Sequence, residues 1–361
     1  MCEQLPKQEL NNPLYKAGDI KPFPTGEITY LAPLPLPTME QPYGPHVGEL
    51  NDVYLAFGLG MRAAFSWQIT VGGPFSVFFI MTYGFSFVIF LLAFPISFSW
   101  RESWDLALGF YNHVLPPSTK YGLVLLTVTL FIWYRAHRKY AHVVATRFNR
   151  QRREVCFMPE DDDTPRFVPW ESLSAWVVEA RGATQYGVHR RCGMGIGYSY
   201  DEREVTVEFE CGAMSLALAH WEALRGYMEY EIHDLKTLQA DEELQGPDDP
   251  MYEGMHTFRN ARARLHQQVR DKKSARVYAF FWYLYHLMTL WTLPFWLAEW
   301  ENKKINRMAR AAIPEVIRKW SEPLPPEQWA KPSPQLIAMS EQVRALHKLD
   351  RNHRHPETAK P

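Results

Sequence analysis

The glycine cluster GMGIG at residues 193–197 is the part of this sequence closest to a ligand-binding motif. Its spacing is G-x-G-x-G. A dinucleotide-binding loop needs G-x-G-x-x-G between a strand and a helix, so that backbone amides can approach a pyrophosphate. The chain also lacks a G-x-x-x-x-G-K-[ST] loop for nucleotide phosphates. The cluster therefore favours a glycine-rich hairpin or bulge over a nucleotide site.

Histidine and carboxylate side chains could bind a metal, but their spacing supports this weakly. His137 and His142 lie in a basic run, which is a poor environment for a cation. Glu229 and His233 are one helical turn apart and could share a metal ion. An acid–imidazole pair on a solvated helix face explains them better. We therefore predict no metal site.

The cysteines give no sign of nucleophilic chemistry. Cys156, Cys192 and Cys211 are isolated, and the chain has no C-x-x-C, H-E-x-x-H or G-x-S-x-G motif. In a reducing compartment such thiols stay reduced and behave as small apolar residues. The sequence therefore predicts no catalytic residue, no cofactor and no enzymatic activity.

Two apolar segments are the first elements that must position these residues. Residues 75–98 are 24 uncharged, mostly apolar residues. At about 1.5 Å per residue they exceed the roughly 30 Å hydrocarbon core of a bilayer. Residues 121–134 are shorter, but the flanking Lys120 and Arg135 have long side chains that can reach the interface. We predict a transmembrane hairpin with helices at about 75–98 and 119–137.

A third apolar segment, residues 277–298, contains His286 and Pro294. Its length favours a plain span, whereas the proline and the spread of tryptophans favour a re-entrant or interfacial placement, and both alternatives stay open. An ionisable group inside a membrane segment often marks function, so His286 is a candidate intramembrane polar site. The alternative is that it pairs with a nearby carbonyl or with a hydroxyl such as that of Thr289.

Basic residues near membrane ends predict the orientation. Residues 135–153 are strongly basic, so the chain from 135 onward and the N-terminal 70 residues should be cytoplasmic, with the loop at about 99–120 outside. A second basic run, 256–276, precedes the third segment, and both runs are expected to contact anionic lipid headgroups. The predicted lipid contacts are Arg135, Arg138, Lys139, Arg270, Lys272, Lys273 and the interfacial Trp100, Trp104, Trp133 and Trp300.

Residues 140–255 have the pattern of a small antiparallel β domain. In EVTVEFE at 204–210, Val205, Val207 and Phe209 alternate with polar residues and define one face of a strand. REVCFM at 153–158 and LSAWVVEA at 173–180 also suit strands, and an amphipathic helix from Leu218 follows. We expect six or seven strands capped by this helix, which is the layout of pleckstrin-homology-like domains. The predicted class is thus an α+β membrane protein.

Several phrases resemble a known group of proteins. FNRQRREVCF and VPWESLSAW, within 148–176, resemble the opening hairpin of bacterial pleckstrin-homology-like domains that follow a two-helix membrane hairpin. With TQYG at 184–187, GMGIG, and AHWEALRGYMEYE at 219–231, they resemble an uncharacterised family of bacterial inner-membrane proteins often encoded beside type VI secretion and toxin genes. The resemblance implies a location and a genetic neighbourhood, and it carries no catalytic residues.

Composition fits this organisation once its uneven distribution is considered. The 361 residues carry 39 Lys+Arg and 40 Asp+Glu, for a net charge of −1, and the mean hydropathy is −0.30. The near-neutral charge argues against nucleic-acid binding. The predicted regions are an N-terminal cytoplasmic, partly disordered segment (1–70), a transmembrane hairpin (71–140), the pleckstrin-homology-like domain (141–240), an acidic linker with a basic juxtamembrane helix (241–276), the third membrane segment (277–300) and a basic, Pro-rich tail (301–361).

The sequence therefore predicts a non-enzymatic inner-membrane protein that contacts the lipid bilayer and a protein partner, either a secretion component or a toxin. It would be an accessory or immunity-type component of a type VI secretion toxin locus, and it could form a homo-oligomer. The rival functions are a membrane-permeabilising toxin and a transporter or channel subunit. In the tail, a short helix at 336–349 is expected to dock on the protein's own cytoplasmic domain or on a partner.

Overall fold

The computed structural model describes residues 15–58, 63–97, 99–139, 144–159, 164–184, 187–200, 203–238, 246, 249–250, 252–272 and 275–354. The chain divides into two compact units. We call residues 1–60, 144–240 and 313–361 the β unit, and residues 61–143 and 241–312 the helical unit. The fold is α+β, as predicted, with two antiparallel sheets and two long apolar helices.

The β unit contains two five-stranded antiparallel sheets. In chain order the strands are β1 (Ile20–Phe23), β2 (Gly26–Ala32), β3 (Val47–Leu50), β4 (Tyr54–Phe57), β5 (Thr146–Asn149), β6 (Glu154–Phe157), β7 (Arg166–Pro169), β8 (Ser174–Thr184), β9 (Gly187–Tyr200) and β10 (Arg203–Cys211). The first sheet has the order β1-β2-β8-β9-β10, and the second has the order β3-β4-β5-β6-β7.

Four of these strands come from the N-terminal segment, to which the sequence analysis assigned no strand. β2 joins the first sheet by pairing with β8, and β4 joins the second by pairing with β5. The strands β1, β3 and β4 have only four residues each, and prolines interrupt the region around them. Such short runs give almost no periodic signal, which is why the pattern of the sequence did not identify them.

The strands predicted between residues 153 and 210 are present. β10 includes EVTVEFE, and its Val205, Val207 and Phe209 face the main core, as the alternation predicted. Helix α5 (Met214–Met228) packs over this core, and the Trp221 ring stacks on Trp170 at 5.4 Å.

Helix α5 is shorter than the amphipathic pattern suggested. The chain reverses at Tyr230, which has a φ of 60°, and the amides of Glu231 and Ile232 both donate to the carbonyl of Gly226. Ile232 and Leu238 remain buried, but they lie beyond the helix. The apolar spacing therefore identified core residues correctly while overextending the helix.

The first long helix of the helical unit runs from Ala64 to Ser97. Its α-helical parts are α1 (Ala64–Trp67), α2 (Gly73–Phe79) and α3 (Phe85–Ser97), and the π-helical stretches Gln68–Gly72 and Ile80–Gly84 join them. The second long helix is α4 (Trp100–Lys139). Both contain stretches long and apolar enough to cross a membrane, Ala64–Ile96 and Trp100–Arg138, and 11% of each apolar window is buried.

The region expected to be an outer loop at 99–120 is instead the first half of α4. The two long helices are antiparallel, since Trp67 contacts Trp133 at 5.0 Å and the Phe90 ring contacts Trp104 at 6.2 Å. This register places the apolar α3 beside the more polar start of α4. The apolar segments 75–98 and 121–134 are therefore staggered along the hairpin.

The third apolar segment is also different from a single helix. It forms α7 (Arg276–Met288) and the start of α8 (Leu293–Ala311), and α6 (Met255–Arg270) precedes it. Between α7 and α8 the chain turns at Leu290 and Trp291, which have φ values of 66° and 58°. With 13 residues, α7 is about 20 Å long and too short to cross a bilayer alone.

After α8 the chain returns to the β unit. Helices α9 (Glu315–Trp320) and α10 (Pro334–Arg354) complete it. Trp320 donates its indole N–H to Glu154 at 2.7 Å, and Arg344 forms an ion pair with Glu231. The tail helix thus docks on the protein's own domain. Leu336 is buried there, whereas Ile337 and Leu346 are exposed.

Candidate functional site

The first long helix and the second half of α4 have a largely apolar exposed surface. Leu92 is 63% exposed, Ile96 81% and Phe131 57%, and many neighbouring leucine, valine and phenylalanine side chains are similarly exposed. Monomeric soluble proteins rarely expose apolar patches of this extent. The hairpin is therefore the part of the described chain best suited to a hydrocarbon environment.

Polar side chains inside the hairpin bond to one another or to backbone carbonyls. The hydroxyls of Thr82 and Ser118, both buried, lie 2.6 Å apart, and Ser86 donates to the Thr82 carbonyl. Thr129 donates to the Thr70 carbonyl on the other helix at 2.7 Å. Such interhelical hydrogen bonds hold membrane helices together without exposing polar atoms to lipid.

The basic residues predicted to contact lipid are exposed where the structure describes them. The Arg135 guanidinium carbon lies 6.0 Å from the centre of the Phe131 ring, and that of Arg138 lies 5.9 Å from the centre of the Tyr134 ring. Arg270 and Lys272 are exposed at the end of α6. Lys273 and the side chain of Lys139 lie outside the described residues.

Helix α6 adds basic residues to this set. Arg259, Arg262, His266 and Arg270 recur at spacings of three and four and are all exposed, which places them along one face of the helix. Phe258 and Leu265 are buried on an adjoining face. This amphipathic arrangement is typical of helices that lie on an anionic membrane surface.

Two of the four predicted interfacial tryptophans are exposed, and two are half-buried. Trp100 and Trp104 are 66% and 55% exposed and contact the ring of Phe90. Trp133 and Trp300 are half-buried and pack beside each other at 6.2 Å inside the helical unit. Part of each of these two rings is therefore covered by protein.

Trp133 also bonds to a buried carboxylate that no sequence motif indicated. Glu301 on α8 is 1% exposed and accepts hydrogen bonds from the indole N–H groups of Trp67 at 2.8 Å and Trp133 at 2.9 Å. His137 Nδ1 lies 3.3 Å from the same carboxylate, and the buried His137 Nε2 has no hydrogen-bond partner among the residues that the structure describes. One carboxylate therefore joins both long helices to α8. We call these four residues the Glu301 cluster.

His286 packs among aromatic side chains of the helical unit. Its ring lies 3.9 Å from Trp282 and also contacts Phe258 and Phe295, and its Nδ1 lies 2.9 Å from the Trp282 carbonyl. The neighbouring Thr289 hydroxyl donates to the Tyr285 carbonyl at 3.0 Å. The pairing with a carbonyl, one of the two alternatives for His286, is the arrangement observed.

Half of the basic run 135–153 lies inside the β unit. Arg150 is 3% exposed, lies between the rings of Tyr227 and Tyr230, and pairs with Asp52 at 2.6 Å. Arg153 pairs with Glu229 at 2.8 Å and with Glu171 at 3.1 Å. These two buried guanidinium groups therefore pair with carboxylates of the β unit, of which Asp52 is exposed and Glu171 and Glu229 are partly buried.

The Glu229 carboxylate, which could have shared a metal ion with His233, has other partners. It accepts hydrogen bonds from the Arg153 guanidinium and from the Trp170 indole N–H. Among the residues that the structure describes, no group of three metal-binding side chains occurs.

The three described cysteines are buried free thiols. Burial raises the pKa of Cys156 to about 12, and it raises the pKa values of Cys192 and Cys211 to about 11. Because the thiolate is the reactive form, these side chains are poor nucleophiles at neutral pH.

The glycine cluster lies within β9, and its Gly193 lines a groove. Gly193, Gly195 and Gly197 are paired with Val178, Trp176 and Ser174 of β8, on the sheet face opposite the main core. A Cβ at Gly195 would lie 2.3 Å from the indole of Trp176, so only glycine leaves room for that ring.

The groove has a volume of about 400 Å³. Trp176 and Val178 line one side, and the exposed Glu208 and Glu210 of β10 line the other, with Arg191 also lining the groove. The motif thus lies in a strand that forms antiparallel hairpins with β8 and β10, as the glycine-rich hairpin predicted.

Comparison of the chain with family models, curated proteins and solved structures finds no match. The function must therefore be argued from the geometry of the two units.

Proposed function

We propose that this protein is a non-enzymatic, multi-pass protein of the bacterial inner membrane that acts through protein–protein contact. The observation that carries the proposal is the position of the apolar hairpin in the chain. It is inserted between β4 and β5, which pair directly from Tyr54 opposite Asn149 to Phe57 opposite Thr146. Two strands of one sheet lie on one side of a membrane, so the intervening chain must cross it an even number of times. Two long apolar helices meet this requirement.

The second excursion from the β unit has the same consequence. The chain leaves this unit after residue 240 and returns at residue 313, where Trp320 bonds to Glu154 of β6. A single crossing by residues 277–298 would separate these two partners. We therefore place α7 and α8 as a re-entrant or interfacial hairpin, which also agrees with the basic residues on both of its flanks.

The strand arrangement supports a pleckstrin-homology-like core. Strands β4 to β7 and β8 to β10, followed by α5, make seven strands in two sheets capped by one helix. The strands β1, β2 and β3 extend both sheets beyond that layout. We propose that this core is cytoplasmic, since Arg135 and Arg138 lie at the end of the second long helix, shortly before the chain enters the β unit.

The proposed setting is a type VI secretion toxin locus, where the protein would be an accessory or immunity-type component. This rests on the resemblance of the phrases around 148–176 and 219–231 to that family of inner-membrane proteins. The structure gives these residues a fold-forming role, since Asn149, Arg150 and Arg153 organise the β5–β6 turn. The resemblance therefore supports a shared fold and neighbourhood.

A channel subunit is a second candidate, favoured by one observation. Asn112, His113 and Lys120 are exposed on α4 at the level of the apolar stretch of the first helix. Polar side chains facing lipid are costly, and several copies of the chain could cover them around a shared axis. Flux of ions through vesicles containing the purified protein would favour this candidate.

Expression of the full chain in a host that lacks the neighbouring genes tests the proposal. We expect the protein to remain in the membrane after an alkaline carbonate wash and to leave growth unchanged. Release by the wash would contradict the membrane anchor. Growth arrest would support the permeabilising toxin instead, and flux in vesicles would support the channel.

A further inference from the structure

We propose that the groove on the first sheet binds an extended, basic segment of a partner protein. This inference deepens the proposed function, because it rests on action through protein contact and names the chemistry of the partner. The segment would lie along β10, with lysine or arginine side chains over the carboxylates of Glu208 and Glu210.

Gly193 leaves the groove open beside Glu210, whereas the buried ring of Trp176 covers Gly195. On this face Gly195 lies opposite Glu208, and Gly193 lies opposite Glu210. No side chain rises from Gly193, so the space beside the two carboxylates can accept the side chains of another chain. Long aliphatic stems of basic residues suit such a groove, since they pack on apolar surface while their charged ends reach acidic groups.

The charge of the groove selects the partner. Glu208 and Glu210 are both exposed, and no cation among the described residues lies within ion-pair distance of either carboxylate. Glu208 and Glu210 are two residues apart and lie on the same face of the strand. Their carboxylates therefore repel one another and attract cations. Arg191 lines the groove as well, so the basic residues are expected over Glu208 and Glu210.

The position of β10 provides room for an extended segment. It has nine residues and is the last strand of its sheet, so within the described part of the chain only β9 pairs with it. An unpaired strand edge can accept a further strand, and main-chain hydrogen bonds then hold the added segment while its alternate side chains give specificity. Basic residues at alternate positions would all lie on the side of the carboxylates.

The test uses the full chain in nanodiscs of zwitterionic lipid, which prevents a basic probe from binding to the bilayer. The probe is a fluorescent nine-residue peptide alternating lysine and threonine, and binding is followed by anisotropy at low salt. Its counterparts are a peptide alternating glutamate and threonine, and a peptide with the same lysines grouped at one end. We expect binding of the alternating lysine peptide in preference to both.

Two variants and one matched control locate the site. Glu208→Gln combined with Glu210→Gln should raise the Kd for the lysine peptide about tenfold, since each exposed ion pair contributes only modestly. Gly193→Val should also weaken binding, because its side chain fills the groove while a Cβ there makes only ordinary contact, 3.5 Å from the Phe209 carbonyl. Glu322→Gln combined with Glu327→Gln removes the same charge from exposed positions elsewhere in the β unit and should change nothing.

Equal binding by the Glu208 and Glu210 double variant would overturn the proposal, and so would equal binding of the glutamate peptide. Glutamine at these exposed positions preserves the strand, so loss of folding does not confuse the result. If the chain stays in the membrane and leaves growth unchanged but does not bind the lysine peptide, this result refutes the groove proposal alone. A chain that binds the peptide but is released by the carbonate wash refutes the membrane anchor alone.

Discussion

At the scale of single residues, the Glu301 carboxylate is the group on which the helical unit most depends. It accepts from two indole groups of different helices while it is almost completely buried. Glu301→Ala should destabilise the protein by about 3 kcal/mol, because it leaves the Trp67 and Trp133 donors buried without an acceptor. Glu301→Gln should cost less, since one acceptor oxygen remains.

The midpoint of thermal unfolding in nanodiscs measures this effect. Asn306→Ala is the matched control, because it truncates an exposed side chain on the same helix. If the two alanine variants unfolded at the same temperature, the Glu301 cluster would have no role in holding the long helices to α8.

His46 and His220 give the β unit a predicted dependence on pH. Burial lowers the pKa of both, and for His46 the nearby His220 lowers it further; the rings lie 5.4 Å apart. The unfolded chain therefore binds protons at these residues more readily than the folded chain. The contribution of these two histidines to the free energy of unfolding should be fully present above pH 6.5, the ordinary pKa of histidine. It should decrease as the pH falls below that value.

Thermal unfolding at pH 7.5 and pH 5.5 checks this sign. His46→Phe should reduce the loss of stability at the lower pH, since phenylalanine fits among Phe57 and Phe209 and does not titrate. An unchanged difference between the two pH values in this variant would show that other groups cause the acid sensitivity.

At the scale of elements, the glycines of β9 differ in what they permit. Gly195→Ala should destabilise the β unit by about 2–3 kcal/mol, because its Cβ would lie 2.3 Å from the Trp176 ring and force the indole to move. Gly193→Ala is the matched variant two residues away, and we expect a change within about 0.5 kcal/mol. Chemical denaturation followed by tryptophan fluorescence measures both, and similar losses would contradict the geometry of the groove.

The elements with a strong period were predictable from the sequence, and those determined by distant contacts were not. β10 follows from the alternation of Val205, Val207 and Phe209. Strands β3 and β4 have four residues each and are stable only because the chain after residue 143 pairs with them. The turn at Leu290 and Trp291 was not predictable as such, because an apolar run reads as one helix whether or not it bends.

The candidate site shows the same limit. Arg135, Arg138, Trp100 and Trp104 were chosen by residue type and by position beside apolar segments, and all four are exposed. Glu301 follows an apolar segment and reads as an ordinary exposed charge. Its role depends on Trp67 and Trp133, which are more than 160 residues away in sequence, and no local pattern signals such a convergence.

At the scale of the whole molecule, the chain leaves the β unit twice and returns to it twice. If the hairpin crosses the membrane, every described segment of the β unit must lie on one side of it, including α10. We therefore predict two crossings of the membrane by the hairpin and none by residues 277–298.

Labelling of single cysteines with a membrane-impermeant maleimide tests this claim most directly. The background chain carries Cys2→Ser and keeps Cys156, Cys192 and Cys211, whose burial and raised pKa values should leave them unlabelled. Cysteine is then introduced at one exposed position in each segment: Glu40, Glu102, Thr206, Gln267 and Glu327.

Intact spheroplasts and inverted vesicles expose opposite sides of the membrane to the reagent. We predict that Glu102→Cys, at the tip of the hairpin, is labelled in spheroplasts. The other four variants should be labelled only in inverted vesicles. Labelling of Glu327→Cys on the side opposite Thr206→Cys, or of Glu102→Cys on the same side as Thr206→Cys, would contradict the account.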